Sequence, residues 1–255
     1  GHLSAYPRAG AALRRQHGAG RFDVVHAHFG LTAWPALGAR GSVRAVTLHG
    51  TDLAHPRSRA ITLAALRLYD LVAAVSEPLA QSVPAWAARR EVAVLPVGVA
   101  TDRFKPIPRA EARGKLGLDA DGPLLLFAAD PARPEKRYDR ARLIAGDVPL
   151  LTLGNVDPKE VPLWVNAASA VLVPSEREGF GLAVLEALAC DVPVLATPVG
   201  IAPEVLRDVA GAYCGPFEPA AWRAALAPHL AAPDPRIAGR AHAELFSTDR
   251  MASRV

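Results

Sequence analysis

A chain of 255 residues, 51% of them apolar, has material for one large core or two modest ones. Its apolar stretches are short and broken by glycine, proline or charge, which excludes a membrane-spanning block and leaves buried strands and helices. The net charge of +4 attracts anions only mildly. The basic residues are scattered, grouped only at Arg14-Arg15, Arg89-Arg90 and Lys136-Arg137, and neither zinc-type Cys/His spacing nor an aromatic-basic RNA motif accompanies them, so nucleic acid is not an expected partner.

In chain order, a basic helical stretch over Ala9 to His17 precedes a first strand at Val24 to Ala27. Strands follow at Val43 to Leu48, Leu71 to Val75 and Val92 to Val97. Between them lie helices at Ile61 to Tyr69 and about Leu79 to Arg89, the second bent or divided by Pro84. Val99 to Pro108 reads as a proline-containing linker. Strands then resume at Leu124 to Ala128, Leu150 to Leu153, Ala170 to Val173 and Val192 to Ala196. Helices accompany them near Val161 to Ala168, Leu182 to Cys190, Pro203 to Asp208 and Glu218 to Leu230. Alternation of short apolar strands with helices describes parallel sheets covered on both faces.

The expected organisation is α/β, two Rossmann-like domains facing a cleft that would be the default binding site. The bounds are 1–103 for the first domain, 104–235 for the second, and 236–255 for a C-terminal helical segment packing back toward the first. The first domain carries few strands and no opening β-α unit, so it reads as incomplete, and residues near Ala36 to Gly41 as a place where further chain is missing. Cys190 in an apolar helix and Cys214 near a turn fit a reduced interior. With no secretory signal in the opening residues, the expected setting is the cytoplasm.

The most informative run is Pro174 to Leu188. A strand ends at Val173, Gly179 and Gly181 allow close backbone approach, and an apolar helix follows, whose first amides can meet an anion. Glu178 sits in the turn and Glu186 within the helix. Facing a ligand, Glu186 would find hydroxyl partners; the plainer reading is a solvent-facing or salt-bridged helix glutamate, and for Glu178 a turn or cap residue. Arg133 and Lys136 follow the first strand of the second domain, at the strand end where open α/β sheets bind ligands, and could hold phosphate; a charged surface loop is the alternative. In the first domain, His49 stands in Leu48-His49-Gly50-Thr51-Asp52 after a strand, either over a reacting group or in a structural loop. His26 and His28 share a face of the first strand but lack a third ligand, so no metal site is assigned.

Taken together, these motifs resemble the retaining glycosyltransferases of group 1, or family 4, with the GT-B fold. The long match is Pro174 through Pro203. Weaker, ordered matches are Asp23-Val24-Val25-His26-Ala27-His28, Thr47 to Asp52, Val75-Ser76, Pro96 to Val99 and Pro134-Glu135-Lys136. The resemblance implies a second domain that binds a nucleoside-diphosphate sugar and a first that serves the acceptor. It implies that Glu186 holds ribose hydroxyls, that Glu178 contacts the donor sugar, and that amides of Gly179, Phe180 and Gly181, with Leu182 opening the helix, meet the sugar or diphosphate. Lys136 matches the diphosphate-binding lysine and His49 the histidine that contacts the donor sugar. The usual Gly-Arg after the first strand is replaced by Ala129-Asp130, leaving Arg133 to take the arginine's role from a shifted position.

The implied reaction is metal-independent transfer, with retention, of a sugar from its nucleotide to an acceptor hydroxyl; no cofactor is expected beyond the donor substrate. Arg133, Lys136 and the helix-start amides would stabilise charge on the leaving phosphate. A GT-B phosphorylase, a nucleotide-sugar epimerase and a non-catalytic sugar-nucleotide-binding protein are the alternatives. The acceptor stays open. Arg8, Arg14 and Arg15 suit an anionic acceptor or peripheral contact with a membrane surface, and equally a solvated helix face.

Overall fold

The computed structural model describes residues Ala5 to Ser253; Gly1 to Ser4, read above for a leader, and the last two residues lie outside them. It divides into two compact units, Gly1–Pro96 and Val97–Val255.

The first unit opens with α1 (Ala5–His17), none of whose residues is buried and whose last turn carries Arg14, Arg15 and His17. Then come β1 (Arg21–His28), α2 (Ala33–Ala36), β2 (Arg40–Leu48), α3 (Thr51–Ala54), α4 (Pro56–Leu66), β3 (Leu71–Ala74), α5 (Glu77–Gln81) and β4 (Ala93–Val94). The four strands are parallel, in the order β1-β2-β3-β4. One face of the sheet packs Val46, Leu48 and Ala74 against Leu63, Leu66 and Tyr69 at the end of α4. Full burial of a valine or leucine side chain among them stabilises the unit by about 1.5 to 3 kcal/mol. The buried Tyr69 hydroxyl donates to Ala33 O at 2.6 Å. β1 is different: it is an edge strand, and Val24 on it is 56% exposed.

Two expected elements are shorter than their apolar runs. The stretch from Leu79 to Arg89 is not one helix: α5 stops at Gln81, Pro84 is extended at ψ 139, and only a 3₁₀ turn follows at Ala85–Ala87. A proline nitrogen has no hydrogen to donate to the preceding turn, which divides the element there. Of Val92 to Val97, only Ala93–Val94 pairs with β3.

The second unit holds α6 (Arg109–Leu116), β5 (Leu125–Phe127), α7 (Tyr138–Ala145), β6 (Leu150–Thr152), α8 (Val161–Ala167), β7 (Ala170–Val173), α9 (Leu182–Ala189), β8 (Val194–Ala196), α10 (Ala202–Val205), β9 (Tyr213–Cys214), α11 (Pro219–Ala231), α12 (Arg240–Glu244) and α13 (Thr248–Ala252). Its sheet is parallel throughout, in the order β6-β5-β7-β8-β9. Every residue of β7 is buried, as a strand covered on both faces must be. Leu125, Phe127, Leu172 and Leu195 pack with Ile144 of α7 and with Trp222 and Leu226 of α11. α6 and α7 were not expected from the sequence. Both are eight residues long and charge-rich, so neither repeats an apolar face often enough to stand out from a loop.

The segment after Pro96 is anchored within this unit. Val99 bridges Ser247 in parallel, its amide donating to Phe246 O at 2.8 Å while Thr248 N donates to Val99 O at 3.0 Å. The Arg240 guanidinium donates to Thr101 O, Phe104 O and Ala189 O, each at 2.9 Å. Arg236 reaches Ile107 O at 2.7 Å and Cys190 O at 3.2 Å. Gly239 lies so close to α9 that a Cβ there would stand 2.6 Å from Leu188 Cδ2.

Candidate active site

The strand order of the second unit reverses direction between β5 and β7, and in an open parallel sheet the carboxyl ends on either side of such a reversal frame a ligand crevice. The two richest stretches of the sequence leave the sheet there: β5 runs into Ala128 to Lys136, and β7 into Pro174 to Gly181. Glu176 N donates to Glu135 O at 2.9 Å and ties the two loops together.

Across that junction Lys136 Nζ lies 2.7 Å from both Glu178 oxygens. The pair is nearly enclosed, with side chains 15% and 9% exposed. Ser175, itself buried, donates its hydroxyl to Glu178 Oε1 at 2.7 Å, and its carbonyl accepts from Thr197 Oγ1 at 2.5 Å. A lysine and a carboxylate 42 positions apart are thus fixed by residues from the ends of β5, β7 and β8. Charge-assisted bonds in so enclosed a place are strong, and breaking one without replacement is costly.

After Glu178 the chain turns tightly. Gly181 caps α9 with φ 98, in the left-handed region that suits glycine. Gly200 backs the turn at φ 60: a Cβ there would stand 2.3 Å from Phe180 O and 2.9 Å from Glu178 Cβ. Ile201 N donates to Phe180 O at 2.6 Å, and the Phe180 ring, buried, packs 6.4 Å from that of Phe246. The amides that open α9 at Leu182 and Ala183 precede any possible intrahelical partner, which makes this helix start a donor cluster for an anion. One turn on, Glu186 lies among Leu185, Ala187 and Leu188. Burial pushes its carboxyl up to about 7, against the pull of the Arg103 charge.

Arg133 is placed otherwise than Lys136. Its guanidinium forks onto Glu135 Oε1 at 3.0 and 2.7 Å and stays about half exposed, so it is not among the groups gathered at Glu178. Ser175, Thr197 and Gly200 lie within the Pro174–Pro203 match, but the sequence assigns none of them a part in holding Glu178. A serine three residues before a glutamate in a turn is a usable signal for the first, whereas only the folded approach of β8 to β7 reveals the other two.

In the first unit, His28 ends β1 and His49 follows β2, adjacent parallel strands in which His28 registers with Thr47. Asp52, fully buried, gathers the surrounding loops: its carboxylate accepts from the amides of Gly30 at 3.0 Å, His49 at 3.0 Å and Gly50 at 2.7 Å. Burial and the neighbouring His28 hold the His49 imidazole below its ordinary value, with Asp52 pulling the other way. Among the described residues no group of three or more His, Cys, Asp or Glu is arranged to hold a metal ion. Cys190 is a free buried thiol, pushed up to about 12 mainly by its burial, and Cys214 is also free. No helix among the described residues is long and apolar enough to cross a membrane.

Comparison with known proteins fits this geometry. The family of glycosyl transferases group 1 matches residues 110–237, and glycosyltransferase family 4 matches residues 1–103. A D-inositol 3-phosphate glycosyltransferase of Geodermatophilus obscurus is 31% identical over 308 aligned positions, spanning 97% of this chain and 68% of the relative. The enzyme of that name from Actinosynnema mirum is 32% identical over 316 positions, spanning 98% and 75%. Both alignments are longer than the 255-residue chain, so the relatives carry extra residues within the matched span. Among solved structures, sucrose-phosphate synthase of Thermosynechococcus elongatus superposes with a TM-score of 0.76 at 22% identity, over 99% of this chain and 76% of that one. Anabaena HepE in complex with UDP-glucose gives 0.74 at 16% identity, over 96% and 80%. These likenesses show the GT-B fold, and with the two family matches they establish that the chain belongs to the group 1, family 4 glycosyltransferases.

Proposed function

We propose that the second unit holds the diphosphate and sugar of a nucleoside-diphosphate sugar at the β5/β7 junction, and that the protein transfers this sugar to an acceptor hydroxyl with retention. The observation that carries the reading is the meeting of Lys136 and Glu178 beside the opening of α9. Lys136 would bind the β-phosphate, with the α9 amides sharing its charge as the leaving group departs. Glu178 would accept hydrogen bonds from donor-sugar hydroxyls, and Ser175 would keep its carboxylate aimed. Glu186, one to two turns into α9, is assigned to the ribose hydroxyls. Arg133 is a second phosphate ligand only if it leaves Glu135. Turnover would not require a metal, since Lys136 and the helix start carry the charge that a cation would.

From the first unit, His49 is assigned to sugar transfer and the unit as a whole to the acceptor. Relatives named for D-inositol 3-phosphate make that compound the first acceptor to test. Arg14 and Arg15 line an 820 Å³ cavity with Tyr6, Trp34, Leu37 and Ile61, a combination suited to an anionic acceptor with an apolar part. The proposed setting is the cytoplasm, where free thiols such as Cys190 and Cys214 persist.

The deciding experiment is isothermal titration of UDP, GDP and ADP and of their glucose or mannose conjugates, followed by chromatography of a bound donor with and without acceptor. Sugar appearing on the acceptor supports transfer. An interconverted free donor would indicate an epimerase, consumption of inorganic phosphate a phosphorylase, and binding without turnover a non-catalytic binder.

A further inference from the structure

His26 and His28 have no part in the reaction as described, yet they are locked to His49. His26 Nε2 is hydrogen-bonded with Thr47 Oγ1 at 2.8 Å, and Thr47 is buried. The His26 and His28 rings lie 4.3 Å apart between centroids at an interplanar angle of 31°, as alternate residues on one strand face can. His28 Nδ1 in turn stands 3.3 Å from His49 Nε2. The His49 main chain is separately fixed, since its amide donates to Asp52.

A hydrogen bond between two imidazole nitrogens needs one proton and no more. With none, two lone pairs face each other; with one on each nitrogen, two N–H groups do. The contact therefore couples the tautomer of His49 to that of His28, whichever nitrogen carries the proton, and leaves Nδ1 as the His49 nitrogen that can meet a ligand. The titratable groups acting on the cluster are His26, His28, His49 and Asp52, from β1, the end of β2 and α3. Three imidazoles so close cannot all be charged without repulsion, whereas Asp52 already spends its carboxylate on three amides.

We propose that His28 is a positioning residue for His49, shelved on His26 and Thr47, and that its Nδ1 selects the tautomer and ring orientation with which His49 serves the reaction. This rests on the assignment of His49 to sugar transfer. The structural part is testable without it, because the ring nitrogens report their own protonation.

The test is ¹⁵N NMR of the histidine rings in the full chain, without nucleotide, across pH 5 to 8, for the native protein, His28→Ala and His28→Asn. Asparagine places a polar atom close to where Nδ1 stands, so it keeps the contact while removing the ring. Expected are a single His49 tautomer in the native protein and in His28→Asn, and in His28→Ala a mixed tautomer with a titration moved upward, as a repelling neighbour is removed. The turnover number on the donor found active should fall about tenfold in His28→Ala, with its KM little changed and with recovery in His28→Asn. A His49 ring that is already a tautomer mixture in the native protein overturns the proposal, and that measurement needs no variant to fold. So does a His49 signal unchanged in His28→Ala, or an equal loss in Ala and Asn. If His49→Ala itself keeps full turnover, the assignment of His49 to the reaction fails, while the tautomer result stands or falls separately.

Discussion

The two units share parallel α/β construction but place their polar chemistry differently. In the second, the strand order reverses at the middle of the sheet, and Lys136 and Glu178 meet at that reversal under nearly complete enclosure. In the first, the strands run in sequence from an exposed edge, and the histidines collect at the ends of β1 and β2, beside that edge. A charged pair needs enclosure to be strong, whereas neutral imidazoles keep their geometry through stacking and single hydrogen bonds. The Lys136–Glu178 junction would therefore suit an anion, and the histidine cluster of the first unit a hydroxyl of whatever group is bound there.

That contrast can be broken most directly at Lys136. In Lys136→Ala the turnover of the active donor should fall by about a thousandfold while the circular dichroism stays native, the scale expected when a stabiliser of developing charge is removed. Retained turnover would move the diphosphate elsewhere. Glu178→Gln should lower turnover by about a hundredfold, yet calorimetry should find UDP, or whichever diphosphate binds, held more tightly, since Lys136 no longer shares its charge with a carboxylate. Weaker diphosphate binding in this variant would mean that the pair does not compete with phosphate.

Gly200→Ala tests whether the turn is as closely backed as its contacts imply. The new Cβ would meet Phe180 O at a positive φ, and thermal or urea unfolding should show a loss of about 1 to 3 kcal/mol. Smaller effects come from titration. Glu186, raised to about 7, binds a proton in the folded protein that the unfolded chain has already lost, so its contribution to stability is present at low pH and is lost as pH rises through about 7. Ribose hydroxyls donating to the carboxylate favour its charged form, so nucleotide affinity should rise with pH up to about 7 and flatten in Glu186→Gln. A slope that survives Glu186→Gln belongs to another group. In the first unit the sign is opposite in origin. His26 and His49 are held below their ordinary values, so the unfolded chain takes up protons first and stability falls as pH drops below about 6.5. His26→Asn should reduce that fall.

Much of this was legible in the sequence because the strands of the second unit are uninterrupted apolar runs and its loops carry the charged residues. Ala170 to Val173 is a strand with the bounds read from its composition, and the helix after Gly181 begins at Leu182 as expected. What was not legible depends on contacts distant in the chain. The partnership of Lys136 with Glu178 spans 42 positions, and the backing of the turn by Gly200 depends on how β8 places its loop. Arg133, next to Lys136 in text, is turned to Glu135, because a fork two residues away lies within reach and needs no folding to find. Asp52 was visible in its motif, yet its three amide partners come from two separate loops.

The anchoring of the segment after Pro96 bears on where this protein can be cut. The family match ends at residue 237, but the guanidinium of Arg240 and the main chain of Phe246 and Thr248 lie beyond it. A fragment stopped at that match would strip donors from Thr101, Phe104 and Ala189 and uncover Leu188, so the useful limit for an isolated second unit is the end of α13, with Val97 as its start.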